Sequence, residues 1–437
     1  RAFAKLFSSA GLRLDVFESG DNVGGVWDYK GDPQKPMYKG LRTNLPKELM
    51  GFREFAFRAD VDDDSYVAHR TVQSYLEDYA EVFELKNYIR FNTAVKRLSF
   101  VEDELEVARS DPLKYPRLRV EYANTDGTTK SEVYDHVVVA NGHYSAPSIP
   151  LQLQELHDEF KGTCMHSIAY DNPLDRGHDD RQLYVGKTVL CVGGRASGSD
   201  IAREISAVAK KVYVSDSSTG LAENNVESCA KTAGLGPDQA SIFLEDGSTL
   251  KDVDVVIFCT GYDYNFPFLD GSNCEVSFST GERRVGPLYQ QLFHAANPTL
   301  SFIGLPHSVV PFPLFEFQAE AVAKAAMEKF KGALPPRDER MRAAKEQFDS
   351  GGPPGRDRVV DTHYLGDYQW DYCRDMAKIG GVYNDAVESY ISTNEQIYNL
   401  AGSERKSCPL GGVDVYRRTR FVRDGESWQK VKVPAAK

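Results

Sequence analysis

Eight residues near the middle of the chain, Gly193-Gly194-Arg195-Ala196-Ser197-Gly198-Ser199-Asp200, have the composition to hold a diphosphate. Glycines let backbone approach a ligand closely, and the start of a helix offers unpaired N–H groups with partial positive charge to an anion. The apolar run Lys187 to Val192 before them reads as a strand. Ser199 to Ala209, with Ile201, Ile205 and Val208 on one face, reads as a helix, and Lys211 to Ser215 as the next strand. Strand, glycine turn, helix and strand in that order specify a dinucleotide-binding unit. Here Arg195 replaces the middle glycine of G-x-G-x-x-G, and the second strand ends on Asp216 with no basic residue just after it. An acid at that point suits a bare ribose, whereas Arg195 offers a cation from the turn itself. The expectation is NADPH over NADH.

A second set of chemistry-bearing residues lies near the start. Leu12, Leu14, Val16 and Phe17 give a buried-strand run closed by Glu18, an acid placed to accept hydrogen bonds from a ribose hydroxyl. Gly24-Gly25-Val26-Trp27 combines a glycine pair, which admits a planar ligand, with a bulky ring to cover it. Thr43-Asn44, in an aromatic-rich segment shortly before a proline, would point polar groups into a pocket. Taken alone, Glu18 is equally a solvated strand-end acid, and the other two segments equally a surface turn and a core-packing run. The helical spacing of Ala2, Phe3, Leu6, Phe7 and Ala10 places the start of the sequence inside a βαβ unit. On that reading one strand and the glycine turn that would cradle a flavin dinucleotide's pyrophosphate lie upstream, so the sequence as written is expected to hold FAD poorly, and a fragment can be inactive while its parent is active.

The elements that must carry these groups are those of a mixed α/β chain with two Rossmann-like dinucleotide-binding domains. The expected boundaries are 1–150 for a flavin-binding unit, 151–290 for an inserted nicotinamide unit, and 291–437 for the return to the first unit plus a helical segment. Strands are expected around Arg90–Ala94, Leu105–Val107, Arg117–Tyr122 and His136–Ala140, and a helix over Thr71–Phe83. Helices are expected near Arg337–Phe348, Tyr368–Ala377 and Asn384–Leu400, with a basic, polar tail after Ser403 as a surface strand and loop.

At 437 residues, with 41% apolar and 27% charged residues, the chain can bury large cores and is not disordered. Its 52 basic against 64 acidic residues give a net charge of −12, which opposes binding to nucleic acid. The longest stretch free of charged residues, Val285 to Phe315, holds five prolines and is no membrane-spanning helix. Seven cysteines form no CxxC pair and no metal-ligand spacing, which points to a reducing, cytoplasmic setting.

Between the two units, Phe160, Gly162, His166 and Tyr170 stand in the spacing F-x-G-x-x-x-H-x-x-x-Y, which resembles the fingerprint of flavin-containing monooxygenases. The resemblance covers nearly the whole chain: GGVW, TNLPKELM, NGHYSAPSIP, GGRASGSDIA, VIFCTGYDYNFPFL, LSFIGLP with VPFPLFEFQ, and HYLGDYQWDY are similar to that family's landmarks. Related Baeyer–Villiger enzymes have Trp where this chain has Tyr170, so the resemblance implies oxygenation at nitrogen or sulfur. It implies that NADPH reduces FAD, that O₂ then gives a C4a-hydroperoxyflavin, and that one oxygen passes to a small amine or thioether. It places Glu18, Gly25, Val26, Trp27, Thr43, Asn44 and Gln318 on the FAD side and Gly193, Arg195, Ser197, Gly198, Ser199 and Asp200 on the nicotinamide side. Gly261 and Tyr262 mark the return between domains, and His166 serves coupling and positioning rather than proton transfer. Asn44 is the catalytic candidate, because an amide donates and accepts without titrating. No metal is implied; a homodimer is the oligomer considered. Two rivals stay open: a flavin disulfide reductase, which needs a redox-active cysteine pair, and a non-catalytic dinucleotide-binding protein.

Overall fold

The computed structural model describes residues 13–58, 64–175, 182–216, 224–279, 283–330, 332–350, 362–407, 416–424 and 427–432. The expected helix over the first eleven residues lies outside them. In chain order the first part contains β1 (Val16–Phe17), α1 (His69–Val82), β2 (Ile89–Arg90), β3 (Ala94–Phe100), α2 (Glu102–Ser110), β4 (Leu118–Ala123), β5 (Thr129–Tyr134) and β6 (Val137–Val139). β1 pairs parallel with β2, and β3, β4 and β5 form an antiparallel meander. α2 corrects the expected strand at Leu105–Val107. Three consecutive acids, Glu102, Asp103 and Glu104, favour the positive end of a helix, and Leu105 and Ala108, three apart, are the residues it buries.

The middle of the chain supplies β7 (Thr163–His166), β8 (Thr188–Val192), α3 (Ala196–Ser206), β9 (Lys211–Ser215), β10 (Val226–Cys229) and β11 (Val255–Phe258). These strands form one sheet in the order β10-β9-β8-β11-β7, and every pairing is parallel. All residues of β8 and β11 are buried, as a parallel sheet covered on both faces requires. Ile201, Ala202 and Ile205 of α3 pack on Val189, Val212, Val214, Val255 and Ile257. Each of these Val and Ile side chains contributes roughly 1.5–3 kcal/mol on burial. The chain leaves β8 through α3 to β9 on one side, while β11 lies on the other side of β8. The topological switch point therefore lies at the carboxyl ends of β8 and β11, where open α/β sheets place ligands.

The last part contributes β12 (Leu300–Phe302), which pairs parallel with β6, and the helices α4 (Pro311–Met327), α5 (Gln369–Ile379) and α6 (Asp385–Ser407). One core joins Leu49, Tyr66, Val72 and Tyr75 to Phe317, Ala321, Trp370, Met376 and Ile391, so the two ends of the sequence fold around each other. The hairpin β13 (Thr419–Asp424) and β14 (Ser427–Lys432) follows. It is not the surface tail expected: Tyr416, Arg417, Thr419 and Phe421 are buried, and Phe421 joins the same core. The basic composition hid an inward row of alternating residues.

Glycine fixes two contrasting positions. A β-carbon on Gly162, just before β7, would lie 2.5 Å from the Asp254 carbonyl oxygen and 2.5 Å from the Phe160 ring, whereas one on Gly402 in α6 would meet nothing. Chemical denaturation should show Gly162→Ala losing about 1–3 kcal/mol by overpacking and Gly402→Ala gaining up to about 1 kcal/mol. Equal effects at both sites would contradict this packing.

Candidate active site

The glycine turn after β8 is closed by contacts that only glycine permits. Gly193 has φ +101°, and a β-carbon there would lie 2.7 Å from the Cys259 carbonyl oxygen. A β-carbon on Gly198 would overlap the Gly193 carbonyl oxygen. The Gly193 N–H donates to Ser215 at 2.9 Å, and the Ser199 hydroxyl donates to the Gly194 carbonyl at 2.5 Å. The first backbone bond into α3 runs from the Ser199 N–H to Arg195, which leaves the N–H groups of Ala196, Ser197 and Gly198 without helical partners. Arg195 and Ser197 are exposed beside them. The Asp216 carboxylate accepts the Gly194 N–H at 2.9 Å, so this acid is tied to the turn. Donors, an exposed guanidinium and a tightly packed backbone are what a dinucleotide's diphosphate requires.

The fingerprint residues brace this turn from the opposite edge of the sheet. Phe160 is buried with Val256 and Phe258. At the end of β7, His166 Nδ1 accepts the Ile168 N–H at 3.2 Å, which leaves Nε2–H to donate to the Gly261 carbonyl at 2.9 Å. Both ring nitrogens are thus used by the neutral imidazole, and burial pushes its pKa down to about 4. Gly261, at φ +83°, carries the chain out of β11, and the Tyr262 ring stands edge-on to His166 at 5.1 Å. The buried Tyr170 hydroxyl donates to Glu204 of α3 at 2.7 Å, and its ring meets Tyr38 at 5.4 Å. Tyr38 belongs to the first part of the chain, so Tyr170 joins the two parts.

On the opposite side, Glu18 follows β1 and accepts the Gly20 N–H at 2.7 Å. Gly24 and Gly25 both have positive φ, a backbone conformation that favours glycine, and the Gln73 amide of α1 packs against Gly24. Val26 and Trp27 are half-buried. Thr43 is buried and bonds Val67 through both its N–H (2.8 Å) and its hydroxyl (3.1 Å), which shapes the loop. Next to it the half-buried Asn44 amide makes no hydrogen bond among the described residues. Gln318 is fully buried in α4, where it accepts the Gly304 N–H at 3.0 Å and donates to the Tyr372 hydroxyl at 2.8 Å. Asp171 bonds the Tyr29 hydroxyl and the Lys39 N–H, a further tie between the two parts.

A family model of flavin-binding monooxygenase-like proteins matches residues 5–230 and 231–385. The chain belongs to the flavin-containing monooxygenase family. Among curated relatives of this family, the Arabidopsis thaliana flavin-containing monooxygenase FMO GS-OX-like 2 is 36% identical over 394 residues, covering 83% of this chain and 78% of its own. FMO GS-OX5 of the same plant is 34% identical, covering 88% and 83%. Among solved structures, the S-allyl-L-cysteine S-oxygenase of Allium sativum superposes with TM-score 0.79 at 28% identity, over 95% of this chain and 92% of its own. Tmm from Pelagibacter shares the fold at TM-score 0.75 and 20% identity, over 100% of this chain and 94% of its own. The chain is accordingly a mixed α/β flavin monooxygenase with FAD and NADP Rossmann-type domains. No helix among the described residues is long and apolar enough to cross a membrane.

Two features of this monooxygenase site were not read from the sequence. Cys191 and Cys259, distant in sequence, share one buried cluster beneath the glycine turn. Both are buried, and Cys191 together with burial holds the Cys259 thiol well above its ordinary pKa, which opposes thiolate chemistry. Arg417, in the C-terminal segment, reaches both the Asn44 loop and α3. No spacing rule joins residues so far apart.

The neutral His166 has a pH signature. Its folded pKa lies near 4 against an unfolded value near 6.5, so unfolding takes up a proton in that window. The stabilising contribution is complete above pH 6.5 and is lost as pH falls towards 4, by up to ~3 kcal/mol. His136, His143 and His294 are depressed by burial too and add to the same acid loss. Urea unfolding of His166→Gln should show a shallower decline from pH 6.5 to 4 than the unaltered protein; parallel declines would mean that the fold leaves the His166 pKa at its unfolded value.

Proposed function

We propose that this flavin monooxygenase uses NADPH and O₂ to oxygenate the sulfur or nitrogen of a small nucleophile. The observation that carries the reading is the fingerprint that ends in Tyr170, whose hydroxyl bonds Glu204 where Baeyer–Villiger enzymes carry an indole. The similarity to the S-allyl-L-cysteine S-oxygenase supports sulfur as the first substrate atom to test. Bound flavin, reduced by a nicotinamide and exposed to O₂, supplies the oxygen atom to a soft nucleophile.

The chain's own residues bind and orient. Glu18 takes the flavin dinucleotide's ribose, and Gly25, Val26, Trp27 and Thr43 flank the ring system. Gly193, Arg195, Ser197, Gly198 and Ser199 hold the nicotinamide dinucleotide through the turn and the open end of α3, with Asp200 on the next position of that helix. Arg195, exposed on the turn, favours a 2′-phosphate, while Asp216 is engaged by the Gly194 N–H. Gly261 and Tyr262 fix the backbone where the two units meet, and Gln318 holds the Gly304 backbone on the flavin side. Asn44 has unspent hydrogen-bonding capacity in the loop that Arg417 ties to α3. Its amide can donate to developing charge on oxygen at any pH, and preorganised donors of that kind are worth about 10²–10³ in rate. Neutral His166 stays out of proton transfer.

The test is an absorption spectrum of the full-length protein followed by anaerobic NADPH and then O₂ with an alkyl thioether or a tertiary amine. Bound flavin that bleaches, reoxidises and yields sulfoxide or N-oxide supports the reading. A colourless folded protein, or lactone and ester formation from ketones instead, overturns it. Asn44→Ala should keep flavin and bleaching while product formation falls about 10²-fold; loss of bleaching would assign Asn44 to reduction instead.

A further inference from the structure

Tyr29 stands just beyond Trp27, outside every motif read from the sequence. Its N–H donates to the Trp27 carbonyl at 2.9 Å, so its ring is carried by the short turn of Gly25, Val26 and Trp27. Its hydroxyl donates to Asp171 Oδ1 at 2.7 Å, across 142 positions of sequence. Asp171 directly follows Tyr170, the last position of the fingerprint. Tyr170 in turn bonds Glu204 of α3. Two consecutive residues therefore face opposite ways, one tied to the helix that starts at the glycine turn and the other to the turn that carries Trp27.

Both partners are aimed by their surroundings. The Tyr29 ring lies 5.0 Å from the ring of His69, the first residue of α1. The Lys39 N–H reaches the same Asp171 Oδ1 at 3.2 Å, and the Asn172 amide donates to Oδ2 at 3.1 Å. Asp175 accepts the Asp171 N–H at 2.9 Å, which fixes the backbone beneath the carboxylate. The hydrogen bond to Asp171, with burial, pushes the Tyr29 phenol up to about 12, so it keeps its proton and remains the donor at neutral pH. A hydrogen bond to a carboxylate is among the stronger kinds, and this one spans the boundary between the two parts.

We propose that Tyr29 is a positioning residue that, through Asp171 and the adjoining Tyr170, holds the Trp27 turn at a set distance from α3 and so aligns the nicotinamide dinucleotide with the flavin. This rests on the reading above that these two elements take the two dinucleotides. Reduction of one bound ring by another requires close alignment, and a misplacement of about 1 Å can cost roughly 10²-fold in rate.

The experiment compares the full-length protein with three variants. Flavin content and calorimetric NADP⁺ titration report binding, the change that NADP⁺ makes in the flavin absorption spectrum reports alignment, and anaerobic bleaching at saturating NADPH reports rate. Tyr29→Phe keeps the ring and removes only the hydroxyl. Its flavin content and NADP⁺ affinity should stay within about twofold, while the spectral change shrinks and bleaching slows about tenfold. Asp171→Ala should be at least as slow, whereas Asp171→Asn, which keeps an acceptor oxygen, should bleach within about threefold of the unaltered protein. An unchanged spectral response and rate in Tyr29→Phe overturns the proposal. So does a tenfold loss of NADP⁺ affinity, which would make Tyr29 part of a binding site. If Tyr29→Phe does not fold, the two Asp171 variants decide: slower bleaching with alanine than with asparagine supports the tie, and equal rates overturn it. An unaltered protein that holds no flavin, or that NADPH does not bleach, defeats the functional reading and the proposal together; one that bleaches, with Tyr29→Phe bleaching equally fast, defeats the proposal alone.

Discussion

The nucleotide face depends on a steric contact: the backbone of Gly198 lies so close to the Gly193 carbonyl that a hydrogen is the largest substituent that fits. That contact lets α3 start directly beneath the turn, with its open N–H groups at the end of β8. Gly193 is in turn held against the Cys259 carbonyl at the end of β11, so turn, helix and two central strands form one rigid corner. Larger residues there would lift the helix off the sheet and aim its positive end elsewhere. The buried core of α3 and the parallel strands is what supplies the energy to hold so close an approach.

Around this corner the protein uses polar side chains as fixed struts rather than as reagents. His166 uses both nitrogens on backbone groups, Tyr170 bonds Glu204, Asp171 bonds Tyr29 and Lys39, and Gln318 bonds Gly304 and Tyr372. Burial keeps the imidazole uncharged and raises the Tyr170 phenol, so neither ring changes charge near neutrality. A reaction whose difficult step belongs to a bound cofactor needs this kind of scaffold, with geometry held constant and stray proton transfer suppressed. Asn44 is the complement of the struts, an amide left with its bonds unmade.

What was legible in the sequence was local or periodic. The strands of the five-stranded sheet are continuous apolar runs, the glycine turn sits between a strand and an amphipathic helix, and the fingerprint has fixed spacing; each needs only a short window. The errors arose where distant packing decides. Leu105–Val107 alternates like a strand for three residues, yet the acids before it and the buried pair Leu105 and Ala108 make a helix. The segment from Tyr416 reads as polar because its Arg417 is charged, and only the folded chain shows that two carbonyls and a carboxylate wait for that charge. Cys191 and Cys259 likewise become neighbours only when β8 and β11 pair.

The Arg417 tie also sets an order of events in biosynthesis. It joins residues 375 and 217 positions apart, while the β8-α3-β9 unit closes within a few tens of residues. Because chains emerge amino end first and local units fold as they appear, the sheet and its glycine turn can assemble long before residue 417 has been polymerised. Until then the Arg42 and Thr43 carbonyls lack this partner, and Asp200 keeps its local bond to Arg203. Translation that stops short of this point leaves a folded nucleotide corner that is joined to the first part of the chain through Tyr170 and Asp171 but lacks the strut nearest Asn44.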